Sequence, residues 1–165
     1  MRGNPFRRSS DDEPEPTVEA EPSEPAPEQK FTVIVVEDTV DVRDMLRMTL
    51  EAGGFEIVAE AGDGAMGLAL IEREQPDLVV LDLAMPETGG LEILPLVHGA
   101  CAKTRVVVYS AIGATYMTEA ALNAGAYAYI QKGVSPRSII EHLRRVAQSG
   151  AQRPVRPFPL VRDYA

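Results

Sequence analysis

The stretch 77-DLVVLDLAMPETGGLE-92 decides the fold. Its apolar run Leu78–Leu81 is short and β-branched at Val79 and Val80, as in a strand covered on both faces. The run ends on an acid, Asp82. A loop, 84-AMPETGG-90, then leads into 91-LEILPLVHGA-100, which reads as a helix that Pro95 should shorten or kink. Working outward, the same strand-then-helix unit recurs on both sides. Upstream, 31-FTVIVV-36 is another β-branched strand. In the segment 40-VDVRDMLRMTLEAGG-54 that follows, Val42, Met45, Leu46, Thr49 and Leu50 fall on one helical stripe, and Gly53-Gly54 supplies the stop. A second strand, 55-FEIVAEA-61, passes through the turn Gly62-Asp63-Gly64 into the helix 65-AMGLALIERE-74, ended by Pro76. Downstream come 105-RVVVYSA-111, helix 115-TYMTEAALNAG-125, strand 126-AYAYIQK-132 and a last helix, 135-SPRSIIEHLRRVAQSG-150, with Ser135 as N-cap and Pro136 at its first position.

Short apolar strands alternating with amphipathic helices predict an α/β domain: a five-stranded parallel sheet, doubly wound, with five helices on its two faces. The domain should span residues 30–149. Residues 1–29 are rich in Pro, Glu and Ser and poor in large apolar residues, which predicts a disordered acidic tail. Residues 150–165 read as a flexible basic tail containing prolines, too short for a DNA-binding output domain and without a helix-turn-helix pattern. The chain has 165 residues and a net charge of −9, so it has no global attraction to nucleic acid or anionic lipid. No apolar run is long enough to span a bilayer, and no apolar stretch follows Arg2, Arg7 and Arg8 as a secretory signal would require. The single cysteine, Cys101, allows no intramolecular disulfide, and a reducing cytoplasm is the expected location.

In a doubly wound sheet the ligand site lies beyond the carboxyl ends of the strands. The polar candidates gather there: Glu37-Asp38 after the first strand, Asp82 after the third, Ser110 after the fourth and Lys132 after the fifth. Carboxylates meeting in one crevice repel each other, so a cation is expected. Oxygen ligands alone favour a hard ion such as Mg²⁺. Lys132 adds a mobile positive charge and Ser110 a hydroxyl donor. A carboxylate between Mg²⁺ and an ammonium is poised to attack phosphorus and form an acyl phosphate. Other polar residues read as ordinary: Asp44 and Asp63 as surface or turn residues, His98 as helix surface. Met45, Met48 and Met66 read as core filling.

The segments VIVVED (33–38), DLAMPETGGLE (82–92), VVYSA (107–111) and AYAYIQK (126–132) together resemble the receiver domain of two-component response regulators, over about Phe31 to Gln148. Asp82, Met85-Pro86, Gly90 and Glu92 are the most diagnostic part. The resemblance implies a flavodoxin-like strand order 2-1-3-4-5, as in chemotaxis regulators. It implies that Asp82 is the phosphorylated residue, that Glu37 and Asp38 organise Mg²⁺ with Asp38 a direct ligand, and that the Ala84 carbonyl is a further ligand. Ser110 is then the switch hydroxyl, Tyr129 the switch aromatic and Lys132 the family's lysine. Two positions depart from the common pattern: Gly133 stands where many members carry proline, and Glu37 where many carry aspartate.

The expected function is a stand-alone, non-enzymatic response regulator. A sensor histidine kinase or histidine phosphotransfer protein would phosphorylate Asp82, and a downstream protein would be bound at the face of the fourth helix, fifth strand and fifth helix. No DNA or membrane contact is expected. A phosphate sink or phosphorelay intermediate is the alternative. An aspartate-nucleophile phosphohydrolase needs a second acid two residues after the nucleophile, where this chain has Ala84. A flavodoxin-type carrier needs a hydroxyl-rich loop where this chain has Glu37-Asp38-Thr39-Val40-Asp41. A degenerate receiver that signals without phosphate is disfavoured because the chemical residues are present. Ala84 and Ile112, expected beside the path of a hydrolytic water, cannot orient it, so self-dephosphorylation should be slow.

Overall fold

The computed structural model describes residues 30–87, 89–113 and 115–149; the stretches read as acidic and basic tails lie outside them. Five strands, β1 (Thr32–Val36), β2 (Glu56–Ala61), β3 (Leu78–Leu81), β4 (Arg105–Ser110) and β5 (Ala128–Gln131), alternate with five helices. These are α1 (Val40–Ala52), α2 (Gly64–Glu74), α3 (Gly90–Ala100), α4 (Thr115–Ala124) and α5 (Pro136–Gln148). All strand pairs are parallel, in the order β2-β1-β3-β4-β5.

The two-residue period of a strand divides the apolar residues between two cores. Val33, Val35, Leu78, Val80, Val107, Tyr109 and Ile130 face one side, where Leu46 and Leu50 of α1 and Ile139, Leu143 and Val146 of α5 cover them. Ile34, Val36, Val79, Leu81, Val106, Val108 and Tyr129 face the other, under Ile71 of α2, Ile93, Leu94 and Val97 of α3 and Ala121 of α4. Fully burying each large aliphatic side chain contributes about 2 kcal/mol. Parallel strands so covered expose only their ends, which confines polar function to the loops there.

Local signals place the helices. The Asp63 carboxylate accepts from the Met66 amide at 2.7 Å and caps α2. The Ser135 hydroxyl accepts from the Ser138 amide at 3.2 Å, with Pro136 opening α5. Two expectations are corrected. Pro95 does not shorten α3, which runs through it to Ala100; the proline sits on the exposed side of the helix, where its ring meets solvent. Met48 and Met66 are not core residues but are exposed, at 65% and 51%. Met48 lies two residues from both Leu46 and Leu50, about 200° around the helix from each, which turns it to solvent. Met45 does pack against the core, partly buried.

Candidate functional site

Asp82 follows the last residue of β3, and its amide donates to the Val36 carbonyl of β1 at 2.9 Å. The Glu37 amide donates to Ala61 of β2 at 3.0 Å, and the Lys132 amide to Ser110 of β4 at 2.9 Å. These bonds continue the sheet ladder by one residue, so the polar side chains leave rigid backbone. The loop after Asp82 is held as tightly. A Cβ on Gly90 would meet the Asp82 carbonyl oxygen and lie 2.9 Å from the Leu83 Cα, so the start of α3 packs directly against the backbone of the acid.

Glu37, Asp38 and Asp82 each bring a carboxylate oxygen within 4.8 Å of the other two. Glu37 and Asp82 are buried, at 1% and 3% exposure, while Asp38 is half-buried. The Lys132 ammonium reaches Asp82 Oδ2 at 2.8 Å and Glu37 Oε2 at 2.8 Å. It donates to Asp82 as a hydrogen bond. At Glu37 the approach is an ion pair without hydrogen-bond alignment, which leaves the buried Oε2 without an aligned donor. The other oxygens have amide partners: Ala84 N–H to Asp82 Oδ1 at 3.1 Å and Thr39 N–H to Glu37 Oε1 at 3.2 Å.

Burial pushes the Glu37 carboxyl above its usual range; the Lys132 ammonium opposes this and the charge of Asp82 adds to it. For Lys132, burial acts downward, but Asp82 and Glu37 outweigh it and hold the ammonium protonated, above its ordinary value. Three carboxylates against one ammonium leave two negative charges uncompensated, the charge of one divalent cation. With an unaligned buried carboxylate oxygen and an all-oxygen donor set, the residues fit a hard ion of the Mg²⁺ kind.

Ser110 is buried and its Oγ accepts from the Ile112 amide at 3.5 Å, a long contact. Tyr129 is fully buried, and its hydroxyl donates to the Ile112 carbonyl. Burial raises the Tyr129 phenol, and a hydrogen-bonding contact with Ser110 opposes it. The ring therefore already points inward. Ala84 is exposed beside Asp82 and enters the site through its N–H. The structure thus brings Glu37, Asp38, Asp82 and Lys132 into one cluster and joins Ser110 to Tyr129 through the backbone of Ile112.

Two residues were missed in the sequence. Arg43, one turn into α1, donates from Nη1 to the Glu37 carbonyl at 2.6 Å and so braces the acidic pair. Its signal was a cation six residues after Glu37, on the side of α1 that faces the strand ends. Tyr109 lies next to Ser110 in β4 with its ring centroid 5.9 Å from Lys132 Nζ. Within an unbroken apolar strand nothing marked it as more than core.

The family model described as response regulator receiver domain matches residues 33–144. The chain is 33% identical over 113 residues to the chemotaxis protein CheY of Bacillus subtilis, covering 68% of this chain and 94% of that one. It is similar to the solved receiver domain of the putative response regulator NarL from Mycobacterium tuberculosis, with 30% identity, a TM-score of 0.70, and coverage of 73% of this chain and 98% of that one. It is also similar to a chain in the CheX-CheY-BeF3-Mg+2 complex from Borrelia burgdorferi, with 26% identity, a TM-score of 0.68, and coverage of 70% and 88%.

Proposed function

The chain belongs to the response regulator receiver domain family, and from that premise we propose that Asp82 accepts a phosphoryl group from a sensor histidine kinase or histidine phosphotransfer protein and that the phosphorylated domain signals by binding. The observation that carries this reading is Lys132, which bridges Asp82 and Glu37 at 2.8 Å each within a three-carboxylate cluster at the strand ends. In the transfer, an Asp82 carboxylate oxygen forms a bond to phosphorus while the bond from phosphorus to the donor nitrogen breaks. Lys132 moves with the developing charge, since its ammonium already touches the attacking carboxylate. The Ser110 hydroxyl turns from the long Ile112 contact to donate to a phosphoryl oxygen. Mg²⁺, held by Asp38, Glu37, Asp82 and the Ala84 carbonyl, would supply positive charge to the transferring oxygens.

The new charge at the edge of the sheet biases a two-state equilibrium of Ser110 and Tyr129. The responding surface is formed by α4, β5 and α5, where a downstream protein docks. In this reading the domain turns over no substrate of its own, works in the cytoplasm, and keeps its phosphoryl group long because Ala84 and Ile112 cannot align a water. Use as a phosphate sink or relay intermediate is the alternative outcome.

The test is intact mass after incubation with acetyl phosphate and Mg²⁺. A single phosphoryl adduct is expected, absent in Asp82→Ala and absent on chelation of the metal. The same adduct level in Asp82→Ala rejects the assignment. Absence of an adduct in the wild type, with acetyl phosphate and with a histidine phosphotransfer donor, rejects the function.

A further inference from the structure

Lys132 must hold its ammonium within 2.8 Å of two carboxylates, yet the residue that follows it, Gly133, is exposed and sits at φ +102° with open space where a side chain would be. Glycine is the residue with the freest backbone. The Lys132 amide is paired with Ser110, but past that bond the turn has no side chain at Gly133 to pack. Tyr109 lies beside the lysine and the turn that follows it. Its ring centroid lies 5.9 Å from Lys132 Nζ, at the edge of cation–π range. Burial raises its phenol, and a hydrogen-bonding contact with the Gly133 backbone opposes this. Its backbone is paired with Ile130 of β5, and its ring is 4% exposed, in the core that also contains Val134 and Ile139 of the turn and α5.

Packing alone does not call for that hydroxyl. A phenylalanine would fill the same space without a buried polar atom that needs a partner. The partner is supplied by an N–H that exists only because residue 133 is not proline. We propose that Tyr109 is a positioning residue for phosphoryl transfer: it ties down the Lys132-Gly133 turn through its hydroxyl and seats the lysine side chain with its ring. Tyr109 and Tyr129 occupy neighbouring strands but opposite faces of the sheet. One holds the lysine while the other belongs to the switch.

The inference rests on the reading of Asp82 as phosphoacceptor, and the test separates the two. Tyr109→Phe keeps the ring and removes the hydroxyl; Tyr109→Leu removes both. Three quantities are read for each: the maximal rate of phosphorylation by phosphoramidate at saturating Mg²⁺, Mg²⁺ affinity by calorimetry, and amide exchange at Gly133 by NMR. For Tyr109→Phe we expect Gly133 to exchange about fivefold faster, as for one lost hydrogen bond. The maximal rate should fall roughly tenfold, as for a misplaced charge, while Mg²⁺ affinity stays within about twofold and the melting temperature is little changed. Tyr109→Leu should slow the rate further. A merely structural role would lower rate, affinity and melting temperature together. An unchanged rate in Tyr109→Phe, or unchanged Gly133 exchange, overturns the proposal. If the wild type takes no phosphoryl group, the phosphoacceptor reading falls, and Tyr109 is still judged by Gly133 exchange and by relaxation of the Lys132 Cε methylene, which should show more motion in both variants.

Discussion

Lys132 reaches two buried carboxylates at once, Asp82 and Glu37, and its own side chain is only 20% exposed. Removing one partner from such a group leaves charge in a poorly solvated place, which costs far more than the intact pair contributes. Lys132→Ala should therefore lower stability by about 2 kcal/mol in the absence of divalent ions, a value set below the fully buried case because the lysine is partly wet. Millimolar Mg²⁺ should restore much of the loss, because the cation compensates the same carboxylates. Urea unfolding of wild type and variant, each with Mg²⁺ and with chelator, measures this. An equal loss under both conditions would show that Lys132 acts through packing of its stem rather than through charge. At this scale the gathering of the candidate residues was legible in the sequence. Glu37, Asp38, Asp82, Ser110 and Lys132 each follow or end an apolar strand, and a parallel sheet sends all strand ends to one edge. Arg43 and Tyr109 were not legible. Their contacts join residues six and more than twenty positions apart, and side-chain direction at that range is set by tertiary packing.

At the level of the element, α3 begins where the backbone of Asp82 leaves no room. Gly89 and Gly90 are adjacent and look alike in the sequence, but a Cβ on Gly89 meets nothing within 4 Å while one on Gly90 would press on the Asp82 carbonyl and the Leu83 Cα. Gly90→Ala should cost about 2 kcal/mol by forcing α3 away from the loop. On the proposed reading it should also slow phosphorylation of Asp82, since the displaced backbone carries that side chain. Gly89→Ala should stay within about 0.5 kcal/mol. Thermal unfolding of the two variants in parallel, with phosphorylation rates, checks the pair; equal behaviour would contradict the close contact. The strands were legible because burial on both faces demands unbroken apolar runs. Met48 and Met66 were misread, and Pro95 was expected to shorten α3, for one shared reason. Helical spacing and residue type say what a position tolerates, whereas the neighbouring element decides which side is covered.

Across the whole molecule, the proposed function requires the site to be coupled to a surface that a partner can read. Ile112 occupies the junction. Its N–H contacts the Ser110 hydroxyl and its carbonyl accepts from the Tyr129 hydroxyl, so the two faces of one backbone unit join the site to β5. On the proposed reading, a Ser110 hydroxyl that turned to a phosphoryl oxygen would give up its long contact with the Ile112 amide. Tyr129 would then respond through the Ile112 carbonyl to which its hydroxyl donates. Since Tyr129 is fully buried in the core shared with α3 and α4, a change in its hydroxyl bond is transmitted as packing rather than as charge. Tyr129→Phe keeps the packed ring and removes the link. Phosphorylation of Asp82 in this variant should proceed at a rate within about threefold of wild type, because no catalytic contact is lost. The chemical-shift changes that phosphorylation produces in α4 and β5 should shrink, while those in the loops around Asp82 persist. Amide spectra of both proteins with and without the phosphoryl group compare these outcomes directly. Undiminished shifts in α4 and β5 would mean that the signal bypasses Tyr129.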